Sequence, residues 1–139
     1  MPREQHIFPG SFEHIEAICE LVGRAAKDAG FDDSTSYACQ LAVGEACENI
    51  ICHGYQCKEG GDIEVTAHST PGELTIELED SAPPFDPTTI AVSECEEQIV
   101  DQIGGLGIPI IQRVMDEVKY SRRGRKNRLT LRKRCTSGC

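Results

Sequence analysis

Apolar positions recur every three or four residues over two stretches early in the chain, then change to strict alternation. In the first stretch Ile15, Ile18, Cys19, Val22, Ala25 and Ala26 form one stripe. That spacing predicts an amphipathic helix from Phe12 to Ala29, with Ser11 as its N-cap and Gly30 as its stop. A second helix opens at the cap cluster Asp32-Asp33-Ser34 and runs to His53, ending at Gly54. Residues 3–8 read as a short strand ahead of both.

After Gly60-Gly61 the period becomes two. Ile63, Val65 and Ala67 alternate with Glu64, Thr66 and His68, and Leu74, Ile76 and Leu78 alternate with Thr75, Glu77 and Glu79. Ser69 to Glu73 supplies the turn, so the pair reads as a hairpin with one dry and one wet face. Residues 81–103 are irregular and rich in proline and acids, the composition of a functional lid or of a disordered segment. Gly104-Gly105-Leu106-Gly107 follows, then a helix with Pro109 near its first position, running to Glu117. A second hairpin, Val118–Arg122 and Leu129–Arg132, ends the pattern. Strands and helices in separate blocks predict an α+β, two-layer sandwich: a mixed, largely antiparallel sheet with helices on one face.

The 139 residues suit a single domain, 1–139. No run approaches the roughly 18–20 apolar residues of a membrane span, and the opening MPREQHIFPG has no signal-peptide core. A cytoplasmic protein without membrane association is expected. Charge is unevenly spread: all 23 acids lie in residues 1–118 beside five bases, and the other nine bases lie in residues 119–139. The net charge of −9 disfavours direct nucleic-acid binding, and the basic hairpin Arg122–Arg128 lacks interleaved aromatics. It reads as a solvated tip or a docking edge for an acidic partner. The eight cysteines include no CxxC pair, so reduced thiols, mostly small core residues, are expected over metal or disulfide roles.

Three features carry candidate chemistry. On the second helix, Gln40, Gly44, Cys47, Glu48 and Ile51 fall on the side expected to be wetter; Ala38, Leu41, Ala42, Ala46 and Cys52 fall largely on the drier one. Glu45 and Asn49 stack one turn apart among the dry set, with His53 a turn further on. A carboxylate on a dry face is costly unless something there needs it; a neighbouring base would serve as well as a ligand. Asp80 shares the inward parity of Leu74, Ile76 and Leu78, and an inward carboxylate at a strand end can accept a hydrogen bond from an exocyclic amine. The glycines at 104, 105 and 107 allow backbone amides close to an anion, yet they form neither a Walker A loop nor a Rossmann fingerprint.

Together these segments resemble the histidine-kinase-like ATPases of the GHKL superfamily, and within them the anti-sigma-factor serine kinases. Glu45–Tyr55 is similar to the N box and Asp80–Pro87 to the adenine box. Gly104–Gly107 with Met115–Val118 is similar to the second glycine box and its helix. The resemblance covers residues 34–134 and implies a Bergerat-type ATP-binding fold.

It also implies roles. Asn49 would hold Mg²⁺ bridging the ATP phosphates, Asp80 would take the adenine amine, and Glu45 would be the general base toward an attacking serine. His53, Ala82, Phe85, Gly104, Gly105, Leu106, Gly107 and Ile108 would complete the nucleotide site. The implied function is an ATP-dependent protein-serine kinase that phosphorylates an anti-anti-sigma protein and sequesters a sigma factor, acting as a homodimer. The alternative is a noncatalytic nucleotide-sensing module on the same fold. Two positions depart from the pattern: Ala82 stands where glycine is usual, and Lys126-Asn127-Arg128 replaces a Gly-Thr-Thr-like element, which removes one possible nucleotide contact. Between Lys58 and Arg113 there is no Lys or Arg. Neutralising a triphosphate therefore falls to Mg²⁺, backbone amides and His53.

Overall fold

A computed structural model describes residues 3–84 and 104–135 of the chain. Strand β1 (Arg3–Pro9) leads through a 3-10 turn (Phe12–His14) into α1 (Ile15–Asp28) and α2 (Asp33–Asn49), and α2 runs on as a π-helical turn (Ile50–Gly54). Then come β2 (Asp62–Thr70), β3 (Glu73–Asp80), α3 (Gly104–Val114), β4 (Glu117–Arg123) and β5 (Lys126–Arg134). The strands form one sheet in the order β1-β2-β3-β5-β4, and all four pairings are antiparallel. This is the α+β sandwich that the separate blocks predict. The segment expected to be a lid lies, from Phe85 to residue 103, outside the described residues.

Local chemistry explains most element boundaries. The Asp32 carboxylate accepts the Thr35 N–H at 2.8 Å and caps α2. Ser11 behaves differently from expectation: it precedes the 3-10 turn, and its hydroxyl bonds His14 Nδ1 at 2.8 Å instead of a backbone amide. The β2–β3 turn is Pro71-Gly72, with Gly72 at φ +80, the left-handed value that a type II turn demands of its third residue.

Alternation sets the layers. Ile63, Val65, Leu74, Ile76, Leu78 and Leu131 point inward and are fully buried with Ile18, Val22 and Val43 of the helices. On the outer face, Arg128 pairs with Glu79 at 2.8 Å and Arg134 with Glu73 at 3.0 Å. Such exposed pairs are worth little individually; their effect is to keep that face wet.

Three expectations are corrected. Cys47 and Ile51, assigned to the wet side of α2, are buried, whereas Leu41 is exposed, because α2 packs between α1 and α3 and has no single outer face. Helix α3 begins at Gly104 and contains Pro109, so the glycines are its first turn and not a loop before it. Pro109, the sixth residue of that helix, leaves the Gly105 carbonyl without its i→i−4 donor and crowds it. Cys39 and Cys47 are buried free thiols as expected, but Cys135, just beyond the last strand and packed against the core, is disulfide-bonded.

Candidate functional site

The site forms where the end of α2 meets the ends of β3 and β5. Ala46, Asn49 and Ile50 from the helix, Ile111 from α3, and Asp80, Tyr120, Asn127 and Leu129 from the sheet line one narrow cleft. Sequence spacing anticipates its two principal polar members. Asn49 is 2% exposed and Asp80 8% exposed; each lies on the inward face of its element.

Asn49 stands out electrostatically. Both its Oδ1 and its Nδ2 are buried and lack a hydrogen-bond partner. Leaving one buried polar atom unsatisfied costs about 1–3 kcal/mol, and here both ends of a carboxamide that lines the cleft are left so. One turn earlier on α2, Glu45 is half-buried and its Oε2 is also without a partner. Burial first, then the charge of Glu48 and a hydrogen bond to it, push the Glu45 carboxyl up to about 7. A carboxyl poised there is suited to take or give a proton at neutral pH.

Asp80 is held differently. Its Oδ1 accepts the Ala82 N–H and Asn127 Nδ2, both at 2.9 Å. Burial raises its pKa, while the Asn127 and Ala82 hydrogen bonds and the Arg122 charge lower it. The carboxylate is thereby anchored at the base of the cleft.

The π-helical turn joins the two halves. Its defining bond runs from Tyr55 N–H to Ile50 O at 2.8 Å, and such turns occur frequently at functional sites. The Tyr55 hydroxyl then donates to Asp62 O at 2.7 Å and accepts the Ser81 N–H at 2.9 Å. It ties the end of the helix to the start of the segment after β3. Ala82 is buried there against Gly54. His53 sits half-buried on the turn, and burial lowers its pKa. That shift favours the neutral imidazole. Gly104, Gly105, Leu106, Gly107 and Ile108 form the opening turns of α3, and Phe85 is outside the described residues.

Reading the sequence missed two participants. Asn127, treated as a lost contact, hydrogen-bonds Asp80 directly. Arg122, treated as part of a solvated tip, donates inward to Ala82 O at 3.1 Å and to Asn127 Oδ1 at 2.8 Å. The available signal was parity: Asn127 lies two residues before Leu129 and four before Leu131, on the same inward side of β5.

A helix-borne Asn and a strand-end Asp thus converge on one cleft against an antiparallel sheet. Residues 8–133 match the family described as the histidine kinase-like ATPase domain. The chain belongs to that family, and within it to the anti-sigma-factor serine kinases. The serine-protein kinase RsbW of Listeria innocua is 33% identical over 118 residues, covering 80% of this chain and 74% of its own. The serine/threonine-protein kinase BtrW of Bordetella bronchiseptica is 29% identical over 92 residues, covering 66% and 65%. Among solved structures, the RsbU and RsbW domains of a Mycobacterium tuberculosis protein superpose with a TM-score of 0.67 at 16% identity. That match covers 96% of this chain and 32% of the other, so this chain spans about a third of it, and the likeness is one of fold. Among the described residues no helix is long and apolar enough to cross a membrane.

Proposed function

We propose that this chain is an ATP-dependent protein-serine kinase that phosphorylates a serine of an anti-anti-sigma protein and, in its other partnership, sequesters a sigma factor. The observation that carries the reading is the buried, unpartnered carboxamide of Asn49 in the same cleft as the anchored carboxylate of Asp80.

The residues fit a nucleotide with its metal. Asn49 Oδ1 is an oxygen donor of the kind Mg²⁺ takes, and Mg²⁺ commonly relies on few protein ligands together with substrate phosphates. Among the described residues no cluster of three His, Cys, Asp or Glu gathers to hold a metal without that help. Bound Mg²⁺ would supply the charge compensation on which phosphoryl transfer depends.

The chain's own residues do the rest. Asp80 accepts the adenine amine and fixes the base, while Ala82 packs beside it. The backbone amides opening α3 at Gly104–Ile108 face the phosphates with the positive end of the helix. Glu45, one turn before Asn49, takes the proton from the incoming serine hydroxyl. One helical turn between base and metal ligand leaves room for nucleophile and γ-phosphoryl group to meet. His53 contributes as a neutral wall of the site. The free edge of β1, with Ile7 63% exposed, supports a homodimer formed along that strand.

The test is transfer of radiolabel from γ-labelled ATP to the antagonist serine. Transfer lost in Glu45→Ala and retained in Cys52→Ala supports the kinase. ATP binding without transfer by the wild-type chain supports the noncatalytic sensor instead.

A further inference from the structure

Asp80 has a partner that the proposed chemistry leaves unused. Asn127 lies directly opposite it in the β3–β5 register and is 4% exposed. Its carboxamide is used to capacity. Nδ2 donates to Asp80 Oδ1 and Ala82 O, both at 2.9 Å, with a longer approach to Pro83 O at 3.4 Å. Oδ1 accepts from Arg122 Nη1 at 2.8 Å and from the Tyr120 hydroxyl. A guanidinium can only donate, so it fixes which end of the amide faces Asp80.

The consequence lies in what remains of Asp80. Oδ1 already takes two hydrogen bonds, from Ala82 N–H and Asn127. Among the described residues no donor reaches Oδ2. One carboxylate oxygen is therefore committed to the protein and the other is left for the cleft.

We propose that Asn127, oriented by Arg122 and Tyr120, is a positioning residue for base selection: it turns Asp80 so that Oδ2 alone meets the ligand, favouring a purine with an exocyclic amine over one with an oxo group there. The inference rests on the reading of Asp80 as the base contact. An ionised carboxylate only accepts hydrogen bonds, so it pairs with an amine and leaves an oxo group facing a second acceptor. Asn127 holds that geometry without touching the base itself, and Arg122 holds Asn127.

The test is displacement of a fluorescent ADP analogue from the full chain by ADP and by IDP, with Mg²⁺ present. IDP differs from ADP in carrying an oxo group where adenine carries its amine. Wild type should prefer ADP. Asn127→Leu, which removes both donors, should lower the ADP-to-IDP affinity ratio by about tenfold; Asn127→Thr, which retains one donor, should restore most of it. A purely architectural amide would weaken both nucleotides alike, so an unchanged ratio in Asn127→Leu overturns the proposal. Should Asn127→Leu fail to fold, Arg122→Met leaves the buried amide in place and releases its orientation. A reduced ratio there supports the proposal, and an unchanged one overturns it. Failure of the underlying reading looks different: Asp80→Asn would then bind ADP as wild type does.

Discussion

Gly54 and Ala82 touch so closely that a Cβ added to Gly54 would lie 2.9 Å from the Ala82 Cβ. This contact seats the π-helical turn on the segment after β3, and it explains how alanine is accommodated where relatives are expected to carry glycine. Gly54→Ala should therefore overpack the junction and destabilise the chain by about 1–3 kcal/mol. Combining it with Ala82→Gly should recover much of that loss. Urea unfolding of the single and double variants checks it; additive effects would place the strain elsewhere.

Asn49 sets function against stability. With both polar atoms of its side chain buried and unpartnered, Asn49→Leu should stabilise the nucleotide-free chain by about 1–3 kcal/mol. The same substitution should abolish Mg²⁺-dependent nucleotide binding. Thermal unfolding paired with ATP titration reads both, and a destabilised variant would mean that the carboxamide is already satisfied.

The Glu45 carboxyl gives opposite pH slopes for stability and activity. Its folded-state pKa, about 7, lies above the ordinary value of 4.5. Folded chains thus hold a proton that unfolded chains have released. The stability contribution is fully present below about pH 4.5 and is lost as pH rises through about 7. Glu45→Gln should flatten that part of the stability profile. Phosphoryl transfer needs the ionised base, so its rate should climb across pH 6–8 toward a plateau. A transfer rate falling over that interval would exclude Glu45 as the base.

Thiol reactivity should follow burial. Cys57 is exposed, whereas Cys47 is fully buried and its thiol pKa is strongly raised, chiefly by desolvation. The thiolate is the reactive form. Alkylation of the native chain read by peptide mass spectrometry should label Cys57 early and Cys47 only on unfolding; early modification of Cys47 would contradict the α2 packing.

Much of this architecture is legible along the chain where the cause is local. Alternation in Ile63–Ala67 and Leu74–Leu78 gives the hairpin and the inward parity of Asp80, and the Glu45–Asn49 spacing places both on one helix. What escapes depends on surfaces supplied from elsewhere. Leu41 and Cys47 exchange their expected environments because α1 and α3 cover α2 from two sides. Asn127 meets Asp80 only because β5 inserts beside β3, a pairing of strands distant in sequence. The π-helical turn at Ile50–Gly54 leaves no periodic signature, since its spacing departs from the 3.6-residue repeat for just one turn.

Chelation separates metal-assisted binding from simple charge attraction. Between Lys58 and Arg113 the chain has no lysine or arginine, and burial lowers the His53 pKa. ATP affinity should consequently fall by about tenfold or more when EDTA replaces Mg²⁺, and an affinity indifferent to EDTA would remove Asn49 from its assigned role.

Calorimetric titration of ATP with Mg²⁺ into the wild-type chain and into Asp80→Ala tests the central claim most directly. Saturable one-site binding by wild type, weakened by about a hundredfold or more in Asp80→Ala, is the predicted result. No heat with wild type, or equal affinity in the two chains, would contradict a nucleotide seated between α2 and the sheet.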